Sequence, residues 1–118
     1  MSHAIESVDD PSWCDLTGFQ RDILATIGRL EVQDKEVLKG LAILDALDSA
    51  RSERVHHGRL YPNLHALADR GLLRITSYDS RTNEYRLTPE AVDMLHERAS
   101  RLADACWMHP AETDGGDR

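Results

Sequence analysis

Cysteine is scarce in this 118-residue chain: Cys14 and Cys106 stand alone near opposite ends. Neither belongs to a Cys-x-x-Cys pair, which excludes a zinc ribbon and a thioredoxin-type motif. They read as two reduced thiols serving as small apolar residues; a redox-sensitive pair joining the ends is the sharper alternative. Long apolar runs are missing too. No stretch approaches the roughly 18 residues that span a bilayer. The N-terminus, MSHAIESVDDPSW, is acidic and has no apolar segment of the signal-peptide kind. A soluble cytoplasmic protein without a membrane partner is expected. No G-x-S-x-G, phosphate-cradling glycine loop or H-E-x-x-H occurs, so neither an enzyme nor a cofactor is expected. Six histidines are present, but His56 and His57 are adjacent and diverge. His57 and His65 lie eight positions apart, too far to share one ion on a straight helix, and no metal site is expected.

Positive charge is also in short supply, with 14 basic residues against 21 acids and a net charge of −7. Its distribution matters more than its total. Residues 51–86 hold seven arginines and four acids, a local net of +3, and the remainder carries −10. A phosphate backbone responds to the local field, so this segment is a candidate nucleic-acid footprint. Lysine is nearly absent, with only Lys35 and Lys39 beside 12 arginines, and aspartate exceeds glutamate 13 to 8. Low lysine, high aspartate and an acidic surface suggest a protein kept soluble in concentrated salt, from an extreme halophile.

The length suits one domain with a modest core. Residues 1–14 lack periodicity and read as a flexible arm; 110–118 read as a disordered tail. Thr17 and Gln20 form a capping box, and Phe19, Ile23, Leu24, Ile27 and Leu30 follow at helical spacing. A polar break is expected over Glu31–Asp34. A second helix is expected from Lys35 to Arg51, with Leu41, Leu44 and Leu47 inward and Gly40 weakening its first turns. The third helix, from about His57 to Arg70, carries Leu60, Leu64 and Leu67 on one stripe. Pro62 should distort its opening and Gly71 should end it. Leu73–Tyr78 and Glu84–Leu87 alternate as strands around the turn cluster Asp79–Asn83. Thr88-Pro89-Glu90 starts a last helix that should reach about Met108.

Helix, helix, helix, strand, turn, strand, helix is the order of a winged helix-turn-helix: mainly α with a small β-hairpin, and here a C-terminal dimerisation helix. The winged domain should cover 15–88 and the dimerisation helix 89–109. In this architecture the third helix enters the major groove and the hairpin tip touches backbone or minor groove. A helical wheel turns Arg59, Asn63 and Ala66 away from the core, beside Gly58 and Pro62. Arginine can pair two donors with guanine and asparagine can pair with adenine. His56, His57, Gly58, Arg59 and Asn63 are therefore the candidate reading residues. Ser80, Arg81, Thr82 and Asn83 are the candidate wing contacts. Lys39, Arg51 and Arg54 are candidate phosphate contacts. The tyrosines 61, 78 and 85 are expected to fill the core. Val92, Leu95, Ala99, Leu102 and Cys106 recur at 3-4-3-4 spacing, a heptad seam suited to a second copy of the chain. Double-stranded DNA and a homodimeric partner are expected, with salt cations bridging acids to phosphates. The alternative is a winged-helix module that binds protein and not DNA.

The stretches LTGFQRDIL, GLAILDAL, HHGRLYPNLHALADRGLL and SRTNEYRLTPEA resemble the PadR-like winged-helix transcription regulators, above all their short haloarchaeal members. The resemblance covers roughly Asp15 to Leu102. It implies a homodimeric DNA-binding regulator, often a repressor, whose C-terminal helix forms much of the dimer contact. A role in the oxidative-stress response is the narrower association it suggests. A single C-terminal helix argues against an effector pocket between long helices.

Overall fold

The computed structural model describes residues 12–33 and 37–108. The tail expected over 110–118 lies outside the described residues, as does most of the arm. The arm's last residues do have structure. Trp13–Asp15 forms a short 3-10 turn, capped where the Cys14 N–H donates to Ser12 Oγ at 3.2 Å. The guanidinium carbons of Arg21 and Arg98 approach the Trp13 ring, 5.6 and 5.4 Å from its centroid.

Helix α1 spans Gly18–Gln33. Its capping box is reciprocal: the Gln20 N–H donates to Thr17 Oγ1 and the Thr17 N–H to Gln20 Oε1, both at 3.1 Å. Ile23, Leu24 and Ile27 are fully buried. The break expected over Glu31–Asp34 does not begin at Glu31: the helix continues to Gln33, and Asp34 lies outside the described residues. Polarity alone does not end a helix that meets no glycine or proline. Glu31 has its own use there: its Oε2 accepts the Leu87 N–H at 2.8 Å, tying the end of α1 to the hairpin.

Helix α2 spans Gly40–Arg51 and so starts later than expected. Residues 37–39 stay outside the helix, with Lys39 extended, and the Leu38 carbonyl accepts the Tyr85 N–H at 2.9 Å, adding a rung beside the hairpin. With the start moved, Gly40, Ile43, Leu44 and Leu47 face inward, and Leu41 is 60% exposed. Gly40 is more than a weak helix former. A Cβ there would overlap the ring and hydroxyl of Tyr61, so glycine lets the start of α2 approach α3.

Helix α3 spans His57–Asp69, with Leu60, Leu64 and Leu67 fully buried. Its opening closes on the His56 carbonyl, which accepts N–H groups from both Arg59 (3.0 Å) and Leu60 (3.2 Å). Pro62 lies inside the helix and leaves the Gly58 carbonyl without its usual donor. Gly71 ends it at φ +80°. The Leu72 N–H returns to the Leu67 carbonyl (3.0 Å) and the Gly71 N–H to the Ala68 carbonyl (2.9 Å), a Schellman closure.

Strands β1 (Leu73–Ser77) and β2 (Asn83–Leu87) pair antiparallel, from Leu73 opposite Leu87 to Ser77 opposite Asn83. Thr88 then joins three segments. Its hydroxyl donates to the Gly71 carbonyl at 2.7 Å, its Oγ1 accepts the Ala91 N–H at 3.2 Å, and its N–H donates to the Leu72 carbonyl at 3.2 Å. Helix α4 spans Pro89–Met108. Ala91 is fully buried, and Met94 and Leu95 pack on the core. From Ala99 to Trp107 every residue is exposed.

Candidate nucleic-acid interface

Two groups of cationic side chains emerge from this frame. The first sits where the openings of α1 and α3 meet. The Arg59 guanidinium carbon lies 3.9 Å from the centroid of the Phe19 ring, and Phe19 is otherwise buried. Arg51 approaches the same ring at 5.2 Å. The two arginines differ in what their N–H groups do. Arg51 is committed to carboxylates: its Nε donates to Glu53 at 2.9 Å and its Nη1 pairs with Asp22. The hydrogen bond to Glu53, with the charges of both carboxylates, raises its pKa. Among the described residues, no carboxylate or hydrogen-bond acceptor holds the Arg59 guanidinium.

Asn63 does not stand free on the outer face. Its Nδ2 donates to the Arg59 carbonyl at 2.8 Å, and its Oδ1 accepts the Gln20 Nε2 at 3.0 Å. Ala66 is half-buried. The helical wheel gives the angle of each residue about its own axis, but it carries no information about α1 crossing beside it. His56, His57 and Gly58 are exposed, and a Cβ at Gly58 would meet nothing within 4 Å. His57 lies 6.0 Å from the Tyr61 ring in a tilted pair.

The second group surrounds the hairpin tip. Asp79 organises it: Oδ1 accepts the Arg81 N–H at 2.9 Å, and this bond is the main reason its carboxyl titrates below the usual range. The Tyr78 N–H donates to the Thr82 carbonyl at 2.8 Å, closing the loop. Ser80 and Arg81 are exposed at the tip. Lys39, His65, Arg81, Thr82 and Asn83 line a cavity of about 360 Å³, with Tyr61 and Tyr85 in its walls. The tip, the start of α2 and the middle of α3 therefore share one surface. His65 is the member of this group that sequence reasoning missed; its position one turn beyond Tyr61 was the available signal.

Tyr85 is buried and Tyr61 half-buried, where burial raises the Tyr61 hydroxyl above its ordinary pKa. Tyr78 departs from the core expectation. It is 53% exposed, with the Lys39 ammonium 5.4 Å from its ring. Arg54 is exposed. Both cysteines are free and exposed, so neither fills the chain's own core. The heptad positions divide. Val92 and Leu95 are half-buried, Leu95 against the chain's own core; Ala99, Leu102 and Cys106 are open. Among the described residues no cluster of His, Cys, Asp and Glu could hold a metal ion, and no helix is long and apolar enough to cross a membrane.

Three packed helices, a hairpin wing at their edge and a long C-terminal helix define a winged helix-turn-helix protein. The chain belongs to the transcriptional regulator PadR-like family, whose profile matches residues 30–97, more than half its length. No curated protein matches it. Among solved structures it is similar to RosR in the RosR-S1 complex, at 40% identity and a TM-score of 0.65, covering 85% of this chain and 81% of that one. Halobacterium salinarum RosR grown from NaBr is similar at 42% identity and a TM-score of 0.64, covering 76% and 77%. A PadR-like transcription factor from Bacteroides fragilis shares the fold at 23% identity and a TM-score of 0.54, covering 75% and 88%.

Proposed function

We propose that this PadR-like regulator is a sequence-specific DNA-binding dimer, a repressor that reads a pseudo-palindromic operator in concentrated salt. The observation that carries the reading is the grouping of Lys39, His65 and Arg81 around one cavity, on the molecule whose α3 opens with exposed His56, His57, Gly58 and Arg59. An acidic chain has presented its cationic and donor groups on the elements that dock in a winged helix. In this reading Arg59 contacts a base edge, Ser80–Asn83 follow the backbone or minor groove, and Lys39 and Arg54 hold phosphates. Arg51 already has two carboxylates and contributes little to phosphate. The open positions Ala99, Leu102 and Cys106 on α4 form the contact with a second copy. Two-fold symmetry then places the recognition helices in successive major grooves, about 34–36 Å apart. The low lysine and high aspartate content supports the high-salt setting.

The test is selection from a random duplex library, followed by titration of variants. Arg59→Ala should weaken specific binding by roughly 1–3 kcal/mol, and Arg81→Ala should weaken binding to most sequences evenly. If no duplex is enriched at any salt, the DNA reading fails and a protein-binding module takes its place.

A further inference from the structure

We infer that Phe19, on α1 and outside the recognition helix, is a positioning residue for sequence reading: its ring is the platform that holds the Arg59 guanidinium, and Asn63 latches that platform to α3 and does not read a base. The inference rests on the DNA-reading role proposed for Arg59.

The geometry separates the two faces of the arginine. A guanidinium stacked on an aromatic ring uses its π face and keeps its in-plane N–H groups for other partners. At 3.9 Å from the Phe19 centroid, Arg59 is well inside the range of such contacts. Its N–H edge takes no acceptor among the described residues, which leaves the two parallel donors that guanine O6 and N7 require. Arg51, beside the same ring, shows the contrasting case, because Asp22 and Glu53 consume its donors. A free arginine loses much rotamer freedom when it is fixed against a base. One already laid on a buried ring has lost part of that freedom on folding, so its contact costs less at binding.

Asn63 fits the complementary role. Reading adenine takes both its Oδ1 and an Nδ2 N–H at once. Here Oδ1 accepts from Gln20 and Nδ2 donates to the Arg59 carbonyl. Gln20 is buried, and its Oε1 is held by the Thr17 N–H. The relay Thr17–Gln20–Asn63–Arg59 thus fixes the backbone of the reading arginine to the capped start of α1, where Phe19 sits. Swinging Asn63 out to a base would dismantle it.

The test uses the full chain and a duplex selected from a random library, with each guanine in turn replaced by 7-deazaguanine to delete the N7 acceptor. Wild type should lose about 10-fold in affinity at one guanine of each half-site. Phe19→Tyr, which keeps the platform, should retain that penalty. Phe19→Leu and Arg59→Ala should both lose it while the dependence of binding on salt stays unchanged. Asn63→Ala should leave discrimination at every adenine as it was. A folded Phe19→Leu protein with the wild-type penalty would overturn the inference while leaving the reading role of Arg59 intact. Failure of wild type to enrich any duplex would remove both. Should Phe19→Leu not fold, the free wild type still decides. Ring current must shift the Arg59 δ and ε protons upfield, in Phe19→Tyr as in wild type, and ordinary shifts overturn the platform.

Discussion

At the scale of single residues, the most constrained position is Gly40, where an added Cβ has no room against the Tyr61 ring. At an exposed helix position a Gly→Ala change gains helix propensity, but Gly40 is buried against Tyr61 and overpacking wins. The variant should lose about 1–3 kcal/mol of stability, and Tyr61→Ala in the same chain should recover part of that loss. Paired thermal melts of the two single variants and the double variant check it; additive losses would mean the two residues do not meet. None of this was legible locally. The capping box at Thr17 and Gln20 could be read because its partners are three residues apart. The reason for Gly40 stands on another helix, and so do the Phe19 ring beneath Arg59 and the Gln20 amide that holds Asn63. The candidate reading residues were identified by type, but which of them were already occupied depended on α1 crossing their face.

Asp79 gives a second residue-level expectation, this one in pH. Its carboxyl is held below the ordinary range, chiefly by the Arg81 N–H. A depressed folded value means that the carboxylate supports the tip at pH above the unfolded aspartate value of about 3.9, and that the support is lost as pH falls through the lower folded value. Asp79→Ala should therefore speed amide exchange at Arg81 and Thr82 at neutral pH. It should also remove the acid-dependent step in that exchange, which wild type keeps. Equal exchange in both proteins at neutral pH would show that the tip does not need the carboxylate.

At the scale of elements, boundaries written in local chemistry were legible. Gly71 closes α3 because its positive φ completes bonds within the same turn, and Thr88 caps α4 for a similarly local reason. The boundaries that moved belong to α1 and α2. Glu31 holds a strand amide and Leu38 pairs with β2, so hairpin contacts from more than forty residues away decide where those helices begin and end. Helix α4 shows what an element does when its own core is too small to cover it. Its first half docks through Ala91 and Leu95, with Gly28 admitting the Leu95 side chain at 3.2 Å from a would-be Cβ. Its second half carries Leu102 at 58% and Trp107 at 83% exposure. Leu102→Glu should abolish the proposed dimer, giving a particle near the 13.3 kDa chain mass in light scattering. The change in thermal stability of the released monomer should stay within about 0.5 kcal/mol, because the side chain is not part of the chain's own core. A Leu102→Glu protein that remains a dimer would move the contact elsewhere.

At the scale of the whole molecule, a net charge of −7 per chain must be reconciled with the proposed phosphate-binding surface. Counterion release usually drives such binding, and the logarithm of affinity falls with the logarithm of salt by about 0.9 per neutralised phosphate. In molar salt that drive is largely gone. The cationic groups here also sit among acids: Arg51 is tied to Asp22 and Glu53, and Arg86 to Glu84. Bringing such a surface to DNA would set carboxylates near phosphates, and we propose that cations from solution relieve that repulsion by bridging them. Uptake of cations opposes release of counterions, so the expected salt dependence is shallow or rising, not steeply falling. Titration of the selected duplex from about 0.1 to several molar KCl measures it. Glu53→Gln supplies the control, since removing an acid beside the interface should restore a steeper fall. A wild-type slope that falls as steeply as the counterion rule requires for its phosphate contacts, and is unchanged in Glu53→Gln, would mean that no cation is taken up and that the acidity serves solubility alone.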